Sequence, residues 1–127
     1  MTEGLGLFNM AHALGAYAAK RQSLIAANVA NADTPGFRAR DLASFSDALG
    51  DRNVAMKSTR QGHLSGATGP GAAEAVDRDV EASPNGNTVS VETEMMHAAE
   101  VRQQHEMALS VYSSGRDILR AALGRVR

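Results

Sequence analysis

Leu24-Ile-Ala-Ala-Asn28-Val-Ala-Asn31-Ala-Asp33-Thr34-Pro35-Gly36-Phe37 closes a helix and sends the chain elsewhere. Pro35 pushes Thr34 out of the α region and Gly36 accepts a positive φ. Thr34, Pro35, Gly36 and Phe37 therefore read as a helix-terminating type II turn. Upstream, Leu14, Tyr17, Arg21, Leu24, Asn28 and Asn31 follow alternating steps of three and four along a helix over 5–33, and that spacing sets them on one seam. Alanines at 11, 13, 16, 18, 19, 26, 27 and 30 add helix propensity and let a second helix come close. Asn28 and Asn31 are costly on a seam unless bonded, so they either fix a partner's register or cap the helix end. On the register reading, leucine at both positions keeps or raises helix content and harms only association.

The matching element lies at the other end. Ala98, Val101, His105, Ala108, Tyr112, Gly115, Leu119, Ala122 and Val126 keep the same step through a helix over 91–126. A second stripe of Met107, Val111 and Ile118 runs beside the first, so this helix has apolar surface for more than one neighbour. Glu92 and Glu94 in its first turn and Arg116, Arg120, Arg125 and Arg127 near its end agree with the helix dipole. Between the helices, Gly66-Ala-Thr-Gly-Pro-Gly71 and Ser83-Pro-Asn-Gly86 are turn chemistry. This stretch is too poor in large apolar residues to offset its ordering entropy alone. Thr88-Val-Ser-Val91 alternates as a short strand would.

The expected fold is all-α: long N- and C-terminal helices with an irregular, disordered or short-β middle, the helices paired as an antiparallel coiled-coil hairpin on the resemblance set out below. The segments are 1–36 (first helix and turn), 37–88 (linker) and 89–127 (second helix). Composition agrees. Of 127 residues 43% are apolar, yet 23 are alanine, 4% are aromatic and Trp is absent. Few side chains bury a large area each, so part of the hydrophobic cover is expected from partner molecules.

Several functions are set aside. Without cysteine there is no disulfide framework, thiolate metal site or Cys nucleophile. No apolar run is long enough to span a membrane, and no cleavable secretory signal is visible at Met1-Thr-Glu-Gly-Leu-Gly. A net charge of −1 with no basic run argues against nucleic acid. Glu94-Met-Met-His97 is a single Glu-x-x-His where a di-iron bundle needs two. Asp77-Arg-Asp79-Val-Glu81 lacks the glycine of a calcium loop and reads as a solvated charge cluster. Gly66 to Gly71 has no following lysine and is not a phosphate loop. No catalytic residue, cofactor or metal site is expected.

The 24–37 stretch, with Gly15 nine residues before it, resembles the signature of the axial proteins of the bacterial flagellum: rod, hook and hook-associated subunits. Asn31-Ala-Asp-Thr-Pro-Gly-Phe-Arg-Ala-Arg-Asp41-Leu-Ala-Ser-Phe45 is similar to the rod subunits in particular. So is Gly86-Asn-Thr-Val89, followed by Glu92-Thr-Glu94-Met95 and a helix carrying Tyr112. The resemblance implies a non-enzymatic structural subunit of the proximal rod in the periplasm, exported unfolded through the flagellar type III apparatus and polymerised to transmit torque. Its implied partners are copies of itself, the axial rod proteins FlgC, FlgF, FlgG and FliE, the inner-membrane ring and the export gate, with no direct membrane insertion. Subunit packing then falls to Leu14, Tyr17, Leu24, Asn28, Asn31, Val101, Ala108, Tyr112, Leu119 and Ala122. Phe45-Ser-Asp-Ala-Leu49 resembles the Phe-x-x-x-apolar element used at that gate, and also reads as a buried helix end. The competing reading is a helical-hairpin adaptor or export chaperone that binds one partner helix.

Overall fold

The computed structural model describes residues 2–50 and 73–124. The Gly66–Gly71 loop and Val126, discussed above, lie outside the described residues. The order is α1 (Thr2–Ala30), β1 (Arg40–Leu42), α2 (Phe45–Gly50), β2 (Ala75–Asp77) and α3 (Val91–Gly124). At 1.5 Å per residue, α1 and α3 are about 44 and 51 Å long.

The two long helices pair antiparallel. Asn28 meets Glu94, Ala18 and Ile25 meet Val101, Gly15 meets Ala108, and Phe8 meets Tyr112 and Gly115. On α3 the buried residues Glu94, Val101, Ala108 and Gly115 recur every seven positions. Ala11, Ala18 and Ile25 do so on α1, all at 6% exposure or less. Seven-residue spacing with small side chains brings two helix backbones close along a heptad seam. Among the described residues, the buried apolar cluster on the seam is Ala18, Ile25 and Val101.

The observed seam on α1 is rotated by one residue from the expected one. Gly15, Ala18 and Ile25 face α3, whereas Tyr17 faces the chain that returns from the Pro35-Gly36 turn, and Arg21 and Asn28 lie between, reaching both that chain and α3. That returning chain, with residues 73–90, forms a collar against one side of the helix pair. Its two strands are antiparallel, with Arg40 opposite Asp77, Asp41 opposite Val76 and Leu42 opposite Ala75.

Local chemistry explains the boundaries. The turn forms as expected: Phe37 N donates to Thr34 O at 3.2 Å across Pro35 and Gly36, with Gly36 at φ 74°. Ser44 opens α2, its Oγ accepting from Asp47 N at 3.3 Å. The expected strand at Thr88–Val91 does not form. Thr88 N donates instead to Phe37 O, Thr88 Oγ1 accepts from Ala39 N, and Ser90 becomes the N-cap of α3. The short strands are those at 40–42 and 75–77.

A second turn sits on the first. Gly86 N donates to Ser83 O at 2.8 Å across Pro84 and Asn85, and Gly36 N donates to Asn85 O at 3.0 Å. Gly86 has φ 80°, and a Cβ there would lie 3.3 Å from Gly36 Cα; a Cβ on Gly36 meets nothing within 4 Å. Gly36→Ala should therefore cost about 1 kcal/mol, the left-handed penalty alone. Gly86→Ala should cost more, because backbone must also move. Urea midpoints should fall in the order wild type, Gly36→Ala, Gly86→Ala; equal midpoints for the two variants would refute the stacked-turn geometry.

Candidate functional site

Three features stand out: a charged node inside the fold, a clamp at the end of α1, and an apolar flank left open. The node joins α1, the collar and α3. Arg21 grips Asp41 with two hydrogen bonds, Nε to Oδ1 at 2.9 Å and Nη2 to Oδ2 at 3.0 Å. Arg78 Nη2 reaches Asp41 Oδ2 at 3.2 Å, and its Nη1 reaches Glu94 Oε1 at 2.5 Å. Glu94 is 0% exposed, and a buried carboxylate is tolerated only when its charge and lone pairs are met. Asn28 Nδ2 donates to the other oxygen, Oε2, at 3.1 Å.

Asn28 also acts as a surrogate strand neighbour. Its Nδ2 donates to Arg40 O at 2.9 Å, and its Oδ1 accepts from Arg40 N at 3.0 Å. The amide therefore fastens the returning chain to α1. Leucine at position 28 would strand the Arg40 peptide and one Glu94 oxygen, so it should cost stability in the isolated chain whatever it does to helix content. Asn31 does something different: its Nδ2 donates to Ala27 O at 2.8 Å, and its Oδ1 accepts from Thr34 Oγ1 at 3.2 Å. It caps the helix end.

The clamp is built on Asn87, which is 2% exposed. Its Nδ2 lies 2.8–2.9 Å from the carbonyls of Asn31, Ala32 and Thr34, in the turn that follows α1. Its Oδ1 accepts from Val89 N at 2.7 Å. One buried amide thus holds the turn after α1 from a segment more than fifty residues away in sequence.

Sequence reading missed Asp41, Arg78 and Asn87. The triplet Asp77-Arg78-Asp79 reads as solvated, but just past β2 the Arg78 amide donates to Ala39 O and its guanidinium turns in to Asp41 and Glu94, while both aspartates stay exposed. Glu94 and His97 were weighed as a metal pair. They lie on the face that meets the guanidiniums: His97 Nδ1 is 3.3 Å from Arg21 Nη2 and 3.2 Å from Glu100 Oε2.

The remaining predicted packing residues divide. Tyr17 is buried, donates its hydroxyl to Ala43 O at 2.7 Å and meets the Phe45 ring edge-on at 5.4 Å. Leu14 and Leu24 are half-buried, Val101 and Ala108 buried. Tyr112 packs edge-on against Phe8 at 5.2 Å yet stays 49% exposed. Leu119 is 48% exposed and Ala122 also faces outward. Phe45 and Leu49 are both half-buried on α2.

The open flank lies on the rim of the pair away from the collar. A groove of about 710 Å³ runs between Ala18, Ala19 and Gln22 on α1 and Ala98, Val101 and His105 on α3. A second hollow of about 360 Å³ continues past His105 to Gly15, Ala108 and Leu109. Along α3, Met95, Met107, Leu109, Ile118 and Leu123 are 52–75% exposed, more large apolar surface than one helix of a free-standing hairpin needs to leave uncovered. Among the described residues no helix is long and apolar enough to cross a membrane, and no group of acidic and His side chains is placed to hold a metal ion.

A helix hairpin closed by its own termini, with uncovered apolar flanks, defines a building block. Residues 12–38, which run from the middle of α1 through the Pro35-Gly36 turn, match the family described as "Flagella basal body rod protein". The chain is 35% identical over 105 residues to flagellar basal body rod protein FlgB of Escherichia coli, covering 75% of this chain and 76% of that protein. The FlgB proteins of Agrobacterium fabrum (29% over 119 residues, 85% of each chain) and Salmonella typhimurium (34% over 107 residues, 76% and 77%) are similar over comparable spans. The chain belongs to the flagellar basal body rod protein FlgB family. It is a structural subunit of the basal-body rod.

The node makes a pH prediction. Burial pushes the Asp41 carboxyl up, but hydrogen bonds from Arg21 and the Leu42 amide, with the charges of Arg21 and Arg78, outweigh it and hold it below the usual carboxylate range. A carboxylate with a folded pKa below its unfolded one adds stability above the unfolded value, about 3.9, and loses it as pH falls through the folded value. Urea midpoints of the wild type should therefore drop on acidification below about pH 4. Asp41→Asn should be less stable at neutral pH and should lose the part of that drop due to this carboxyl. An unchanged acid slope in the variant would contradict the assignment.

Proposed function

We propose that this chain is a proximal rod subunit that polymerises with its own copies and with the axial proteins FlgC, FlgF, FlgG and FliE, and so carries motor torque. The observation that supports it is the exposed apolar surface of α3. Ile118 is 68% exposed and Leu123 75%, and fully covering such a side chain yields about 1.5–3 kcal/mol. Spread over repeated neighbours, that gain stabilises an array in which each subunit supplies cover for the next. The tube-like packing of such an array uses Val101, Ala108, Tyr112, Leu119 and Ala122 together with Leu14, Tyr17, Leu24, Asn28 and Asn31, some directly and some by holding the helices in place.

The same design suits passage through the flagellar export gate and anchorage at the inner-membrane ring. No cysteine cross-link resists unfolding. The Phe45–Leu49 element is half-buried against α1 in the folded chain, so it is presented to a gate only while the chain is unfolded.

Ile118→Asp with Leu123→Asp should leave the circular dichroism of the dilute protein unchanged, because both side chains already face solvent. It should abolish sedimenting assemblies with rod partners and abolish swimming in a complemented strain. Normal swimming would overturn the reading. An adaptor binding one partner helix would instead remain monomeric or dimeric, with helix content independent of concentration.

A further inference from the structure

We propose that Asn85-Gly86 is a conformation-gated self-modification site, a deamidating bond that the folded turn holds closed and that reacts when the clamp on α1 opens. The reaction needs only water. The Gly86 backbone nitrogen gives up its proton and attacks the side-chain Cγ of Asn85; the new C–N bond closes a succinimide ring and ammonia leaves. Water then adds to either ring carbonyl and opens the ring, giving aspartate or isoaspartate at position 85, with no electron transfer. Glycine after asparagine is the least hindered partner for this closure because it brings no Cβ to the attacking nitrogen.

Both residues are exposed, so solvent reaches them freely, and whatever protects the bond is local. Three contacts do so. Gly86 N–H donates to Ser83 O at 2.8 Å, which holds the proton that must leave. The Asn85 Oδ1 accepts from Asn87 N at 3.0 Å, which fixes the rotor carrying the electrophilic carbon. The backbone cannot swing to bring nitrogen to carbon, since Asn85 O receives Gly36 N–H at 3.0 Å and Gly86 lies against Gly36.

The product does not fit the same place. Isoaspartate adds a methylene to the backbone between residues 85 and 86 and a negative charge beside it. The carbonyl that Gly36 uses is displaced, and with it the approach by which Asn87 reaches the carbonyls of the turn after α1. A chain that lingers with this turn open therefore loses the ability to close it. The chemistry requires no partner and holds whether or not the chain assembles.

The test holds the full-length protein in one mildly alkaline buffer with and without concentrated urea. The peptide Asp79–Arg102 is followed by mass spectrometry, and isoaspartate by enzymatic methylation. Asn85 should convert at least about tenfold faster in urea, as expected for a reaction that waits on local opening. Pro84→Gly, with helix content intact by circular dichroism, should raise the native rate toward the urea rate. Equal wild-type rates in the two conditions, or a native rate unmoved by Pro84→Gly in a folded protein, would overturn the proposal; so would conversion at Asn87 instead of Asn85.

Discussion

Glu94 is a carboxylate with no exposure, and the rest of the fold is arranged around meeting its charge. Arg78 comes to it from the chain after β2, Asn28 from α1, and Arg78 is itself shared with Asp41, which Arg21 holds from α1. No two of these segments complete the node alone. The helix pair without the collar leaves Glu94 facing Asn28 with its charge unpaired, and the collar without the helices has only two three-residue strands. Burying an ion in this way is a poor source of net stability but a strong penalty on every arrangement that leaves it unpaired. It specifies one docking of collar on hairpin.

That device suits a seam with so little bulk. Along the α1–α3 contact the buried side chains are mostly alanine and glycine, with Ile25 and Val101 as the apolar exception. Small residues let the helices approach closely and leave a shallow groove instead of a filled core. Apolar cover is then moved to the outside of α3, where neighbours can supply it. A subunit made this way is held in shape by polar contacts within itself and by hydrophobic contacts in its assembly.

The sequence showed the two helices and the stop at Thr34-Pro35-Gly36-Phe37, because those rest on periodicity and on backbone constraints that tertiary context does not change; their antiparallel pairing came from the resemblance to the flagellar axial proteins. The face of α1 was misread by one residue for a definable reason. Steps of three and four fit Leu14, Tyr17, Arg21, Leu24 and Asn28, but they fit Ala11, Gly15, Ala18 and Ile25 equally well. Bulk favoured the first set, while close helix approach uses the second. Arg78 looked solvated because its neighbours Asp77 and Asp79 are charged, and only its bonds to Ala39 O, Asp41 and Glu94 show that it turns inward. Asn87 stood out only as part of Gly86-Asn-Thr-Val89; its role depends on a turn that lies far from it in sequence.

The central claim is that the Arg78–Glu94 pair fixes the collar to the hairpin, and a double-mutant cycle in urea tests it most directly. Arg78→Met alone should cost about 3–5 kcal/mol, because it leaves a buried charge uncompensated. Adding Glu94→Leu should recover much of that loss, giving a coupling energy of about 1–3 kcal/mol. Additive losses from the two substitutions would show that the pair does not act as a unit and would contradict the account.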